Sequence, residues 1–200
     1  MGVVFSDLSV SADGYATGLN QTEERPFGDI DDSWLHDWMF DPVGAEENAE
    51  EVAAIVDSGA TIMGRNMFGP VRGEWDRDWR GWWGPEPPYR NDVFVLTHHP
   101  HEPIEMEGGT TFHFVTGGIE VALERARASA GDRDIAVAGG PSTVNQFLTA
   151  GLLDVLRLHV TSCVLGAGVR VFERVPARRL ELVSVRPTSL VTHMTYRVGR

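Results

Sequence analysis

Three short stretches set glycines, hydroxyls and basic side chains directly after apolar runs: MGRNMF (Met63 to Phe68), LTHHP (Leu96 to Pro100) and AGGPST (Ala138 to Thr143). The first joins Gly64 to Arg65, Asn66 and Met67; the second groups Leu96, Thr97 and His98; the third runs Ala138, Gly139, Gly140, Pro141, Ser142, Thr143. Arginine carries a fixed fork of five donors, and glycine lets backbone approach a ligand without a Cβ in the way. Helix-start N–H groups are donors without partners, so together these residues could hold an anion. Taken singly, each stretch is equally an ordinary turn. Asp13-Gly14 offers either turn chemistry or a carboxylate acting at a ligand. Trp34, His36 and Trp38 could shape a pocket, with Asn48 beside it and Glu47, Glu50 and Glu51 around it.

The elements that must position these residues follow from periodicity. Val3 to Val10 is β-branched and strand-like, closed by SADG. The segment from there to about Pro42 is acidic, aromatic and without clear period, so it reads as a long loop. Ala49, Val52, Ala53 and Val56 form a helical stripe ended by Gly59; ATIM is a short buried strand and RNMF a brief helix closed by Gly69-Pro70. A second irregular stretch, from Val71 to Asn91, holds Trp75, Trp79, Trp82, Trp83 and Tyr89. VFVLT and TFHFV are strands, Ile119, Ala122, Leu123 and Ala126 a helical stripe, and IAVAGG a strand running into a glycine pair. Val144, Phe147 and Leu148 share a helix face that ends at Gly151. Leu156, Leu158 and Val160 alternate with Arg157 and His159 on the opposite side of a strand. Strands at Leu180 to Val185 and Thr192 to Val198 are close enough to form an antiparallel hairpin.

Strands alternating with helices imply an α/β fold: three layers, αβα, around a mixed, mostly parallel sheet with a C-terminal antiparallel hairpin. Nothing divides the chain, so residues 1–200 form a single domain with loop insertions near 15–44 and 71–91. In such a sheet ligands bind outside the carboxyl ends of the strands, where the three stretches lie, and together they outline a dinucleotide cradle. Seventeen basic against twenty-nine acidic residues give a net charge of −12, which argues against nucleic acid or anionic membrane as partner. Any positive seat must therefore be local. A single cysteine, Cys163, excludes an internal disulfide, and the N-terminus lacks signal-peptide character; a soluble cytoplasmic protein is expected.

The order SADGYATG, TIMGRNMF, VFVLTHHP and IAVAGGPSTVNQFLTAGLLDVLRLHVTSCVLGAGVRVF resembles the dihydrofolate reductase superfamily, in the bacterial branch similar to the reductase domain of bifunctional riboflavin biosynthesis proteins. The resemblance runs nearly end to end. It implies a dihydrofolate-reductase-like fold and NADPH as cofactor, with Gly64 and Arg65 on phosphate, the arginine at the 2′-phosphate, and Asn66 and Met67 adding N–H groups. Leu96, Thr97 and His98 match positions along the adenosine and diphosphate. Ala138, Gly139, Gly140, Pro141, Ser142 and Thr143 match the loop at the pyrophosphate and nicotinamide side, where the Gly-Gly bond is often cis. Asp13 falls in the loop that closes over the nicotinamide and is the candidate catalytic residue. Trp34, Trp38 and Asn48 are candidates for the substrate pocket, Asn48 standing near the place of the superfamily's pterin-binding carboxylate. The implied activity is an NADPH-dependent reductase moving hydride to a small heteroaromatic, pyrimidine- or pterin-like, or sugar-linked substrate, as a homodimer. A non-catalytic NADP(H)-binding or regulatory module of the same fold is the alternative.

Other patterns are read as structural. The fingerprints G-x-G-x-x-G and G-x-x-x-x-G-K-[ST] are absent. His98, His99 and His101 share one loop without cysteines or clustered acids, so no metal is expected. The tryptophan-rich stretch is assigned to pinning its own loop or to a subunit interface, and the LGAG turn to backbone geometry.

Overall fold

A computed structural model describes residues 2–31, 33–70 and 72–199; Met1, Asp32, Val71 and Arg200, which bound or fall within segments read above, lie outside the described residues. Six parallel strands form the centre of the sheet: β1 (Val4–Ser11), β3 (Ala60–Gly64), β4 (Asp92–Leu96), β6 (Thr111–Val115), β7 (Ile135–Gly139) and β8 (Val155–Thr161). Antiparallel strands flank them: β5 (Ile104–Glu105) at one edge, β10 (Leu180–Pro187) and β11 (Val191–Val198) at the other. The full order is β10-β11-β8-β1-β7-β3-β4-β6-β5. A separate ribbon pairs β2 (Tyr15–Thr17) with β9 (Val169–Arg170). The expected three-layer α/β architecture with a closing hairpin is what the chain adopts.

One face of the sheet is covered by α5 (Gly118–Ala130) and α6 (Pro141–Ala150). Ile119, Ala122, Leu123 and Ala126 of α5 and Val144, Phe147 and Leu148 of α6 bury against Val4, Ile62, Phe94 and Val137. Burying each large side chain is worth roughly 1.5–3 kcal/mol, so the 3.6-residue stripes that identified these helices also hold them down. Gly151 ends α6 in the left-handed region, φ +68°, where glycine meets no Cβ penalty.

The opposite face carries α1 (Ser33–Phe40), α2 (Pro42–Glu47) and α3 (Ala49–Val56) over β1 and β8, and α4 (Arg65–Phe68) with the tryptophan-rich loop over β3, β4 and β6. Here the sequence reading needs correction: the first insertion is not one long loop, because α1 and α2 occupy much of it. Asp41 caps α2, accepting from the N–H groups of Val43 (2.9 Å) and Gly44 (3.3 Å), with Pro42 in the first turn. The second insertion is pinned as expected. Trp79 Nε1 donates to the Phe68 carbonyl (2.9 Å), Trp75 Nε1 to that of His99 (3.1 Å), and Trp83 stacks near Phe112.

β7, β3 and β4 are sheet neighbours, with Met63 opposite Gly139 and Gly64 opposite Leu96. Parallel pairing thus brings all three glycine-, hydroxyl- and arginine-bearing strand ends to one edge. Among the described residues no helix is long and apolar enough to cross a membrane.

Candidate functional site

Gly64 is glycine because the next strand's helix leans on it: a Cβ there would lie 2.5 Å from Thr143 Oγ1. The Gly64 strand end and the glycine loop are therefore in direct contact. The Gly139-Gly140 peptide is cis, as the resemblance implied, and Gly139 has φ +124°, a conformation that side chains rarely adopt. A Cβ on Gly140 would meet nothing within 4 Å, so the loop presents bare backbone to open space. No side chain caps α6 at Gly140. The positive end of that helix is left for something outside it.

Arg65 completes this edge. Its guanidinium lies over the Trp75 ring, 3.8 Å from the centroid, and Nη1 donates to Thr97 Oγ1 at a long 3.4 Å. Nε and Nη2 are buried and make no hydrogen bond among the described residues. Burial, then the nearby Arg72 charge, push its pKa down, while Glu74 and Asp76 oppose them; a guanidinium nevertheless stays charged. Arg72 donates to the Gly69 carbonyl (2.9 Å) and to Gln21 Oε1 (2.5 Å). A buried donor without a partner costs about 1–3 kcal/mol, so two on one cation amount to a place prepared for an acceptor. An anion with several oxygens fits this donor set.

Cavities open at both ends of the sheet. One of about 430 Å³ opens between Val56, Ser58, Pro88 and Arg90, at the amino ends of β3 and β4, remote from the glycine loop. The other, about 400 Å³, is walled by Trp34, Asp37, Trp38, Thr161, Ser162 and Ser189 at the carboxyl end of β8. The second shares the strand-end edge with the anion seat. Strands lie about 4.8 Å apart, so β8 stands about 14 Å from β3 across β1 and β7.

The profile of the RibD C-terminal domain matches residues 3–194. The chain belongs to the RibD C-terminal domain family. No curated protein sequence matches it. Among solved structures, a protein attributed to riboflavin biosynthesis from Shewanella sp. PV-4 superposes with a TM-score of 0.67 at 22% identity, covering 99% of both chains. Dihydrofolate reductase from Enterococcus faecalis, complexed with NADP(H) and RAB-propyl, gives 0.61 at 15% identity over 100% of this chain and 98% of its own. Acinetobacter baumannii RibD gives 0.62 at 17% identity over 100% of this chain and 59% of its own. At these identities the likeness is one of fold, and the dihydrofolate-reductase-like architecture is shared.

In this member of the RibD C-terminal family the expected residues divide clearly. Gly64, Arg65, Met67, Leu96, Thr97, Gly139, Gly140 and Thr143 converge at one edge, with Asn66, His98 and Ser142 exposed around it and Ala138 and Pro141 flanking the glycines. Asp13 is held by hydrogen bonds within the protein. Its carboxylate accepts from Ser11 Oγ (2.6 Å) and from the N–H groups of Leu165 (3.1 Å) and Gly166 (2.8 Å). The Ser11 bond foremost, with those backbone N–H groups, holds its pKa down to about 2. A carboxylate so held is a latch between two loops and is a poor proton donor near neutral pH.

The substrate side also needs correction. Trp34 and Trp38 do wall the cavity, but Asn48 is wholly buried and does not line it: Nδ2 donates to the carbonyls of Gly44 (2.7 Å) and Trp38 (3.3 Å), and Oδ1 meets His193 Nε2 at 2.8 Å. An amide this well partnered packs α1–α2 against the sheet instead of meeting a ligand. His36, also considered for a pocket, stacks on Phe27 at 4.1 Å. The carboxylate at the cavity is Asp37, which sequence reasoning missed, as it missed Trp75 and Arg72 beside Arg65. Asp37 became legible only when α1 was recognised as a helix, since i, i+3 and i+4 spacing puts Trp34, Asp37 and Trp38 on one side.

Proposed function

We propose that the protein is an NADPH-dependent reductase of a small planar heteroaromatic substrate of the pyrimidine or pterin kind. The observation that carries this reading is Arg65. It presents two buried, unpartnered donors over Trp75, beside bare glycine backbone and an uncapped ten-residue helix. Such donors fit the phosphates of a dinucleotide, with Arg65 at the 2′-phosphate, Thr97 beside it and the Gly139–Thr143 loop at the pyrophosphate. Membership of the RibD C-terminal family and the NADP(H) bound to the E. faecalis enzyme support the same cofactor.

NADPH, when bound, supplies the hydride. The chain's own residues bind and orient. Trp34 and Trp38 offer aromatic walls to a flat ring, with Ser162 beside them; the hydroxyls of Thr161 and Ser189, which also line the cavity, are bonded to the Val10 carbonyl and the Glu47 carboxylate. Asp37 is the one acidic residue among those lining the cavity, and none of them is basic. This combination suits an uncharged or amino-bearing ring.

The test is NADPH oxidation, followed by absorbance, across a panel of pyrimidines and pterins, with the reduced product identified by mass. Oxidation coupled to one reduced product supports the assignment. Tight NADPH binding with no turnover across the panel would instead identify a non-catalytic nucleotide-binding module.

A further inference from the structure

A buried polar chain runs beneath the cavity and belongs to none of the cofactor contacts. Asp7, His159 and His193 come from the neighbouring strands β1, β8 and β11, with Ser9 opposite His159 and His159 opposite His193. Asp7 Oδ1 lies 3.1 Å from His159 Nε2, His159 Nδ1 lies 2.7 Å from His193 Nδ1, and His193 Nε2 lies 2.8 Å from Asn48 Oδ1. His159 and His193 are 2% and 6% exposed, so water does not substitute for these partners.

The protons can be counted along the chain. Asn48 has a fixed orientation, because Nδ2 donates to two carbonyls and a flipped amide would set oxygen against oxygen. Its Oδ1 is therefore an acceptor, and His193 Nε2 must carry hydrogen. Arg157 Nη1 donates to Asp7 Oδ2 at 3.4 Å, so the carboxylate is an acceptor on that side as well. Asp7 then accepts, and His159 Nε2 must carry hydrogen too. A third proton must sit between the two Nδ1 atoms, since bare lone pairs at 2.7 Å repel. Two neutral imidazoles hold only two ring protons; these three bonds need three.

We infer that His159 is a buried imidazolium, charge-paired with Asp7 and hydrogen-bonded to neutral His193, and that this chain is the positioning element for Trp38. The charge belongs on His159 because it adjoins the carboxylate. Burial first, and then the neighbouring His159 charge, hold the His193 pKa down to about 4. The other charged groups facing the pair are Glu51 on α3, at 3.0 Å from Arg186 of β10, and Glu47, whose backbone carbonyl accepts from Arg186. Arg186 Nη1 also reaches Asn48 Oδ1 at 3.5 Å, a second donor to that oxygen, and its charge adds to the lowering of the His193 pKa.

Trp38 is tied to three members of this arrangement, His159, His193 and Asn48, and to Ser9 beside them. Its ring centroid lies 4.5 Å from that of His159 and 5.2 Å from that of His193, its Nε1 donates to Ser9 Oγ (3.0 Å), and its carbonyl accepts from Asn48. An imidazolium under an indole adds cation–π attraction to the contact. Trp38 is 1% exposed and still walls the cavity, so its placement sets the shape that a ligand meets. The positioning role rests on that cavity being the substrate site; the proton count does not.

The experiment is NMR of the full-length protein with ¹⁵N-labelled histidine near pH 7, counting ring N–H groups on His159 and His193. Three, one of them shared in an N–H···N bond, is the expected count; two would overturn the inference. Asp7→Asn keeps a hydrogen-bonding group and removes the carboxylate charge, so it should cost His159 one ring proton. Retention of both would equally refute the charge pairing. For positioning, exchange of the Trp38 indole N–H is compared with that of Trp79, bonded to the distant Phe68 carbonyl. In His193→Phe the Trp38 rate should rise roughly tenfold or more with Trp79 unchanged. His193→Gln, which keeps a donor toward Asn48, should restore protection, and Asp7→Asn, in which the Trp38 rate should also rise, serves if the phenylalanine variant does not fold. An unaltered Trp38 rate in either Asp7→Asn or His193→Phe would remove the positioning role. Neither readout involves NADPH or substrate, so failure here is distinct from failure of the reductase assignment.

Discussion

Arg65→Ala isolates the residue on which the cofactor assignment turns. Nε and Nη2 are the two donors left without partners, and each hydrogen bond they make to a phosphate is charge-assisted, worth about 1.5–3 kcal/mol. Taking the lower end, because the side chain is only part-buried, the alanine variant should lose about 3 kcal/mol of NADPH binding, about 150-fold in Kd. NADH lacks the 2′-phosphate and should lose much less, so the ratio of the two affinities collapses. Stability of the ligand-free protein should move little. The variant forfeits a cation–π contact with Trp75 worth about 0.5–2 kcal/mol, but it also removes two buried unsatisfied donors whose cost, about 1–3 kcal/mol each at full burial and less for this part-buried side chain, opposes that loss. Calorimetric titration of both cofactors against wild type and variant, with urea denaturation alongside, measures all of these. Equal weakening of NADPH and NADH, or NADPH affinity within about twofold of wild type, would refute the assignment of Arg65.

His193 has a depressed pKa, about 4, so the unfolded chain takes up a proton that the native state refuses as pH falls below its ordinary 6.5. Its contribution is complete above pH 6.5 and lost between there and pH 4, with a ceiling of about 3 kcal/mol; urea denaturation at pH 7 and 4.5 should show that loss in wild type and a smaller one in His193→Gln. Asp13→Asn should leave NADPH affinity unchanged while amide exchange at Leu165 and Gly166 speeds up roughly tenfold by NMR, and a matching loss of affinity would restore a ligand role to Asp13. Seven of the eight residues of the edge strand β10 are exposed, including Leu182, Val183 and Val185, and such an edge invites pairing with a second copy. Light scattering should find a dimer that Val183→Glu with Val185→Glu converts to monomer; a monomeric wild type would dispose of that interface.

The alternation of elements and the place of the candidate anion seat were legible in the sequence. Both are local properties: apolar stripes at 3.6 or 2 residues mark α5, α6 and the strands, and Gly64-Arg65, Thr97 and Gly139-Gly140 stand at strand ends that parallel pairing must bring to one edge. The helix α1 escaped because, among its described side chains, Leu35, His36 and Trp38 are the buried ones, too few for a period to emerge from one sequence. Only the tertiary structure decided what each polar group meets. Trp75 under Arg65, Asp13 bonded to Leu165 and Gly166, and Asp7, His159, His193 and Asn48 in one chain join residues ten to about 150 positions apart. The polar face of β8, Arg157 and His159 opposite its apolar residues, was visible as a pattern. Which carboxylate and which second histidine would face it depended on the order of strands in the sheet, because hydrogen bonds and charge pairing act over a few ångströms of space and leave no period in the chain.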